Sequence, residues 1–176
     1  MKGETSGGFD NWEYGILQPN KFVKSDGQMY HMFDLGDMNL YGFHTAGETP
    51  DTMAVWIPER ASLFIGDNIY PSFPNLTTLR GCRPRDPVKW MKALERYMTL
   101  KPELIVSGHG EPIIGASKCM DVLVNYRNGI KYVHDQTLRM MNEGKDSFEI
   151  MREIWVVCKK RNYEISESPK TGQNSK

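Results

Sequence analysis

TMAVWIPERASLFIGD, residues 52 to 67, consists of two short apolar segments joined by a polar connection. The first segment, residues 52 to 58, stops at a proline, and the second, residues 61 to 67, stops at Gly-Asp. Short apolar runs that end at turn residues predict β-strands, and a connection of this length is typical of a hairpin. A β-sheet is therefore expected at the centre of the fold.

Other parts of the sequence extend this sheet in both directions. Residues 28 to 36 alternate between two faces, and residues 38 to 45 follow a Gly-Asp turn, which predicts two strands before the hairpin. Residues 102 to 110 hold a continuous apolar run between proline and glycine, which predicts a buried fifth strand. Five strands are few for a domain with such long irregular segments, so we expect a sheet that lacks a partner sheet.

Helices are predicted in the second half of the chain. Asp86 is a candidate N-cap with Pro87 at the first helical position, a favoured pairing. A long helix is predicted from Ser117 to Glu143, and Ser147 is expected to cap a last short helix that runs through Trp155. Strands followed by helices predict a mixed α/β (α+β) layer fold.

The composition excludes several classes of function. A chain of 176 residues suits one domain, and 22 basic against 22 acidic residues leave no field to attract nucleic acid or an anionic membrane. No apolar run approaches the roughly 18 residues that span a bilayer, and the first residues lack the apolar core of a secretory signal. We expect a cytoplasmic protein without a membrane span, whose partners are selected by a specific site.

Three side chains of metal-ligand type follow predicted strands. Glu48 comes shortly after the second strand, Asp67 directly after the fourth, and His109 directly after the fifth. Two carboxylates and one imidazole can hold zinc, or the harder Mn or Fe, and leave positions open for water. Each of the three is flanked by glycine, which allows sharp turns at strand ends. Singly each residue is typical of an ordinary turn, but together they favour a site.

These segments resemble motifs of a known family. HTAGETPDT (44 to 52), LFIGDNIY (63 to 70) and LIVSGHGEP (104 to 112) are similar to the third, fourth and fifth motifs of the metallo-β-lactamase superfamily. In its alkyl sulfatase branch the first of these ligands is a glutamate in the pattern E-x-P-x-x-M, which residues 48 to 53 fit. TLRG (78 to 81), RDPVKW (85 to 90) and YVHDQTLRMMNEG (132 to 144) also resemble alkyl sulfatase segments.

The resemblance implies the C-terminal half of a metallo-β-lactamase-like αββα sandwich, followed by a helical segment. The leading superfamily motif, H-x-H-x-D-H, is expected well before Glu48, where His31 is the only histidine apart from His44. We therefore expect a partial enzyme with weak metal affinity and exposed apolar surface. The expected divisions are a lead-in with the first strand (1–37), the half-domain (38–116), a helical segment resembling the alkyl sulfatase dimerisation region (117–158), and a disordered polar tail (159–176).

The resemblance also implies a function. One or two zinc ions at the intact site would supply a bound water that attacks sulfate esters of alkyl alcohols, releasing alcohol and sulfate. Arg80 is the expected sulfate-binding residue, because a guanidinium matches a tetrahedral anion, and Asn75 is a weaker amide donor. On the sequence alone Arg80 could equally be a surface residue or a partner of Asp86. His44 could orient Glu48 or simply pack on the sheet.

Two alternatives remain open at this point. The chain could belong to a hydrolase of another ester or thioester, for which Arg80 would be irrelevant. It could instead be a non-catalytic module in which the helix 117–143 pairs with a second copy to form a homodimer. The predicted partners are thus a small-molecule sulfate ester and a second subunit.

Overall fold

Six strands form one mixed sheet in the order in which they occur along the chain. The computed structural model describes residues 18–77 and 83–160, with side chains up to residue 154. The strands are β1 (Met29–Leu35), β2 (Met38–His44), β3 (Met53–Ile57), β4 (Ser62–Gly66), β5 (Leu104–Ser107) and β6 (Ile113–Ile114). The helices are α1 (Pro87–Leu100), α2 (Ala116–Asn142) and α3 (Ser147–Lys160).

The directions of the strands determine where their ends meet. β1 to β4 pair antiparallel in succession, β4 pairs with β5 in parallel, and β6 returns antiparallel to β5. A parallel pair needs a long crossover, and α1 lies within it. β2, β4 and β5 therefore run in the same direction, so that their C-terminal ends lie at one edge of the sheet.

Helices α1 and α2 cover one face of the sheet. On β4, Leu63 and Ile65 are fully buried while Phe64 between them is 40% exposed, as the two-residue period of a strand requires. Trp90 and Leu94 of α1 and Leu123 of α2 are fully buried in the same cluster. The opposite face keeps apolar side chains exposed among the described residues, Phe64 included.

The ends of the helices test the predicted caps. Asp86 accepts hydrogen bonds from the amides of Val88 and Lys89 at 3.0 and 3.1 Å, which confirms it as the N-cap of α1. The prediction for α3 was wrong by one residue. Asp146 accepts from Phe148 and Glu149, and Glu149 accepts the Asp146 N–H, so Asp146 caps the helix and Ser147 is its first residue.

The mixed α/β fold is confirmed, with small differences at its edges. The two-residue strand β6 was not predicted, and α3 continues through Lys160, beyond the predicted end at Trp155 and into the predicted tail. Residues 161–176 of that tail lie outside the described part. Within the described ranges, no helix has both the length and the apolar character needed to cross a membrane.

Candidate functional site

The three predicted metal-ligand residues stand at one edge of the sheet. Glu48 follows β2, Asp67 follows β4 and His109 follows β5, and these are the strands that run in the same direction. Loops after strand ends of this kind are where α/β folds gather their binding groups. The topology therefore gives a physical reason for residues distant in the sequence to converge.

Asp67 and His109 are in direct contact. Nδ1 of His109 lies 2.8 Å from Oδ1 of Asp67, and the Gly108 amide donates to the Gly66 carbonyl at 2.8 Å, which joins the two loops. A Cβ at position 108 would lie 2.2 Å from Oδ1 of Asp67, so a larger residue there would require the Asp67 carboxylate to move. The bond at Nδ1 leaves Nε2 as the ring nitrogen that can bind a ligand, and the His109 side chain is 70% exposed.

Glu48 lies deeper and is held by other groups. Its Oε1 forms an ion pair with Arg85, and its Oε2 accepts from the Tyr70 hydroxyl at 3.4 Å. Burial raises the pKa of the Glu48 carboxyl, Arg85 opposes that shift, and the negative charge of Asp67 adds to it. His109 also acts on this pKa, in the lowering direction. Glu48 is thus within electrostatic reach of both other members of the site.

Asn68 anchors the turn that carries Glu48. Its fully buried side chain donates to the Thr45 carbonyl at 2.9 Å and to the Tyr97 hydroxyl at 2.8 Å, and its Oδ1 accepts the Glu48 N–H at 3.0 Å. Its own carbonyl accepts from the indole of Trp90 at 3.0 Å. The side chain therefore ties the strand ends of β2 and β4 to helix α1.

Burial raises the pKa of Tyr97 to about 12, so its hydroxyl remains a neutral hydrogen-bonding group at physiological pH. Sequence reasoning did not select Asn68. The available signal was an amide placed between Asp67 and the apolar Ile69, directly after a strand.

The remaining predicted residues are placed differently from one another. Asn75 contributes its backbone to the neighbourhood, since its N–H donates to the Tyr70 hydroxyl at 2.6 Å and its carbonyl accepts from Arg85. Arg80 lies outside the described residues.

His44 does not bond the Glu48 carboxylate. Its Nε2 donates to the Pro50 carbonyl at 2.7 Å, which joins the two ends of the turn that contains Glu48. Arg85, which the sequence analysis did not select for the site, is the described guanidinium in contact with Glu48.

The donor set suits a divalent cation in its chemistry. Two carboxylates and an imidazole match zinc, and the repulsion between Glu48 and Asp67 is an interaction that a cation would offset. A carboxylate has about four acceptor positions, so the Arg85 contact does not exclude a metal at Glu48. In the present arrangement each carboxylate is paired with a basic side chain, and no group of three His, Cys, Asp or Glu side chains in residues 18–77 and 83–154 is closed around one point.

Comparison with known proteins identifies the family. Residues 14–109 match the model of the metallo-beta-lactamase superfamily, and the chain belongs to that superfamily. Its resemblance to the alkyl sulfatase branch is confirmed by curated relatives. It is 35% identical over 121 residues to a linear primary-alkylsulfatase of Pseudomonas sp. (strain ATCC 19151), which covers 68% of this chain and 23% of that protein.

More distant relatives agree. An alkyl/aryl-sulfatase of Saccharomyces cerevisiae is 29% identical over 106 residues, with 58% of this chain and 16% of that protein covered. The structure of a stereoselective inverting sec-alkylsulfatase from Pseudomonas sp. superposes with a TM-score of 0.63 at 25% identity, over 73% of this chain and 20% of that one. The chain thus spans less than a quarter of the length of each of these relatives.

Proposed function

We propose that this chain supplies part of the active site of an alkyl sulfatase, a hydrolase that converts sulfate esters of alkyl alcohols to the alcohol and inorganic sulfate. The observation that carries the proposal is the convergence of Glu48, Asp67 and His109 at one sheet edge, with the glutamate in the pattern E-x-P-x-x-M. Membership of a superfamily of hydrolases and the alkyl sulfatase relatives support it. Three protein ligands leave at least one position of a tetrahedral zinc ion open, so the proposal allows further ligands from outside these three loops.

In this proposal Glu48, Asp67 and His109 hold a divalent cation, with zinc as the first candidate. Such an ion, when bound, lowers the pKa of coordinated water and stabilises negative charge on the ester. The residues of the chain orient the site. Asp67 sets the ring orientation of His109 through Nδ1, and the Glu48 carboxylate is fixed by Arg85 and the Tyr70 hydroxyl.

Arg80 and Asn75 are proposed to bind the sulfate group. A guanidinium can donate two parallel hydrogen bonds to a tetrahedral anion, which an ammonium cannot do in the same geometry. The backbone contacts of Asn75 with Tyr70 and Arg85 place this residue beside the Glu48 carboxylate network. Its side chain is therefore a suitable amide donor for an oxyanion near Glu48.

Ligand protection in Arg80→Ala tests this assignment. At 100 times its Kd, methyl sulfate is expected to raise the free energy of unfolding of the zinc-loaded wild type by about 2.7 kcal/mol. A ligand that binds only the folded state stabilises it by this amount. Methyl acetate, the matching carboxylate ester, is expected to have little effect. Arg80→Ala should lose the methyl sulfate effect, and Arg83→Ala, which changes a nearby exposed arginine, should retain it.

The control also removes a general salt effect, since sulfate-like anions stabilise many folded proteins without a site and would act equally on both variants. Equal protection of wild type and Arg80→Ala by methyl sulfate would contradict the role of Arg80. Preferential protection by methyl acetate would instead favour a hydrolase of another ester.

A second role concerns the helices after the sheet. Leu138 and Met141 of α2 and Phe148 and Met151 of α3 are apolar side chains that remain between 47% and 72% exposed. The two residues on each helix are three positions apart, so each pair lies on one helix face, and exposed apolar faces favour a protein interface. We infer that this helical segment pairs with a second copy, either within the enzyme or as a non-catalytic dimerisation module. Retained dimerisation after metal removal would favour the latter.

A further inference from the structure

Arg85 contacts the Asn75 carbonyl as well as Glu48, and the proposed reaction assigns no role to that second contact. One terminal nitrogen of its guanidinium pairs with Oε1 of Glu48, and the other donates to the carbonyl of Asn75. The Arg85 side chain is 10% exposed and that of Glu48 18%, so this is an ion pair largely shielded from water. The guanidinium is therefore committed to two acceptors on different segments.

The same contacts close a ring of hydrogen bonds that joins the side chains of Glu48, Arg85 and Tyr70 to the backbone of Asn75. The Asn75 N–H donates to the Tyr70 hydroxyl at 2.6 Å, and that hydroxyl donates to Oε2 of Glu48 at 3.4 Å. The Arg85 backbone N–H also donates to the Leu76 carbonyl at 3.2 Å. Both oxygens of the Glu48 carboxylate are thus connected to Asn75, one through Arg85 and one through Tyr70.

The chemistry of arginine explains why this position needs a guanidinium. Its planar fork presents donors in fixed directions and can bond two acceptors at once, whereas an ammonium on a flexible stem acts as a point charge. A lysine could neutralise Glu48 but would not hold the Asn75 carbonyl in the same geometry. The ion pair and the tie to residues 70–77 are therefore separable by substitution.

We propose that Arg85 is a positioning residue that couples the Glu48 carboxylate to the segment 70–77, which carries Asn75. The inference rests on the proposed function in taking Glu48 as a metal ligand and Asn75 as a substrate contact. It adds that the two are held as one unit, so that a cation at Glu48 orders the segment that meets the sulfate. Arg85 acts through these two residues and does not itself contact substrate while it is paired.

Amide hydrogen exchange on the full chain tests the coupling, first without metal. Arg85→Gln is expected to speed exchange of the Asn75 and Glu48 amides by about tenfold or more, because their local opening becomes easier. Arg85→Lys should restore protection at Glu48, whose charge is again compensated, but not at Asn75. Arg83→Gln, which changes a nearby exposed arginine, should leave both amides as in the wild type.

Zinc gives the second readout. In the wild type, added zinc should slow exchange at Asn75, and in Arg85→Lys it should slow exchange at Glu48 alone. A residue that merely stabilises the fold would not separate these two amides. Wild-type exchange at Asn75 in Arg85→Gln, or full rescue of both amides by lysine, would overturn the proposal.

Two further measurements keep the test decisive. If Arg85→Gln does not fold, Glu48→Gln tests the coupling instead, because it removes the other charge of the same ion pair. It should speed exchange of the Asn75 amide, and unchanged exchange there would overturn the coupling. Zinc content is measured in the same samples by elemental analysis. Bound zinc without coupling to Asn75 would overturn the role of Arg85 alone, whereas metal-free coupling with no zinc bound would overturn the metal site and leave the coupling in place.

Discussion

Asn68→Ala is expected to lower the free energy of unfolding by about 3 kcal/mol or more, measured by urea denaturation. Asn68 is fully buried. Its side-chain N–H groups donate to the Thr45 carbonyl and the Tyr97 hydroxyl, and its Oδ1 accepts the Glu48 N–H. Alanine would leave these groups without that partner in a site from which water is excluded, and each buried unpaired group costs about 1–3 kcal/mol. The loss should therefore exceed the effect of a typical single substitution.

Asn75→Ala is the matched control for this variant. Asn75 is exposed, and its contacts with Tyr70 and Arg85 are made by its backbone, which alanine retains. Its substitution should change the free energy of unfolding by no more than about 0.5 kcal/mol. A loss below about 1 kcal/mol in Asn68→Ala would show that the Glu48 turn is not anchored by this amide.

Gly47→Ala is expected to destabilise the chain by about 2–3 kcal/mol, since overpacking at a tight contact forces neighbouring groups to move. A Cβ at position 47 would lie 2.2 Å from Oδ1 and 2.7 Å from Cγ of Asn68. Oδ1 is the atom that accepts the Glu48 N–H, so the substitution should also weaken metal binding at Glu48.

The double variant makes this prediction specific. The three nearest atoms to the added methyl group all belong to the Asn68 side chain, and Asn68→Ala removes them. Gly47→Ala should therefore cost less than about 1 kcal/mol in the Asn68→Ala background, a clear departure from additivity for two residues in contact. Strict additivity of the two effects would contradict the close approach of Gly47 to Asn68.

The sequence supported the strands and the approximate position of the site because both depend on local patterns. Alternating and continuous apolar runs defined five strands, and residues of ligand type followed three of them. The convergence of Glu48, Asp67 and His109 then follows from the strand directions. The resemblance to family motifs added the expected superfamily and the expected sulfate ester substrate, which composition and spacing alone did not indicate.

The partners of these side chains were less accessible to sequence reasoning. Arg85 lies directly before the N-cap of α1, a position that is usually exposed. It contacts Glu48 because the connection between β4 and α1 passes the edge of the sheet where Glu48 lies. Asn68 was not selected either, because the neighbouring Asp67 is the residue of metal-ligand type. A buried polar group is defined by tertiary approach, and the sequence gives no distance between loops that are remote along the chain.

The caps show the same limit on a smaller scale. Asp146 and Ser147 are both good N-cap residues, and the choice depends on which of them reaches the free amides. The reciprocal bond from the Asp146 N–H to Glu149, three residues on, selects the aspartate. A search for the capping-box spacing would have found it, whereas the identity of the cap residue alone did not.

The charges of the candidate site favour the binding of a metal ion. Each candidate carboxylate is paired with a basic side chain, Glu48 with Arg85 and Asp67 with His109, and the pKa of Glu48 still responds to Asp67. A divalent cation would add charge where the carboxylates repel each other. The account therefore requires that the site binds metal and that Glu48 contributes to the binding.

Elemental analysis of the purified chain, the Glu48→Ala variant and the exposed-site control Glu111→Ala tests this requirement directly. After all three proteins are equilibrated with the same excess of zinc, we expect bound zinc in the wild type and in Glu111→Ala, and a sharp fall in Glu48→Ala. Equal zinc in all three, or no metal in any of them, would contradict the account and mean that the chain keeps the frame of the site without its chemistry.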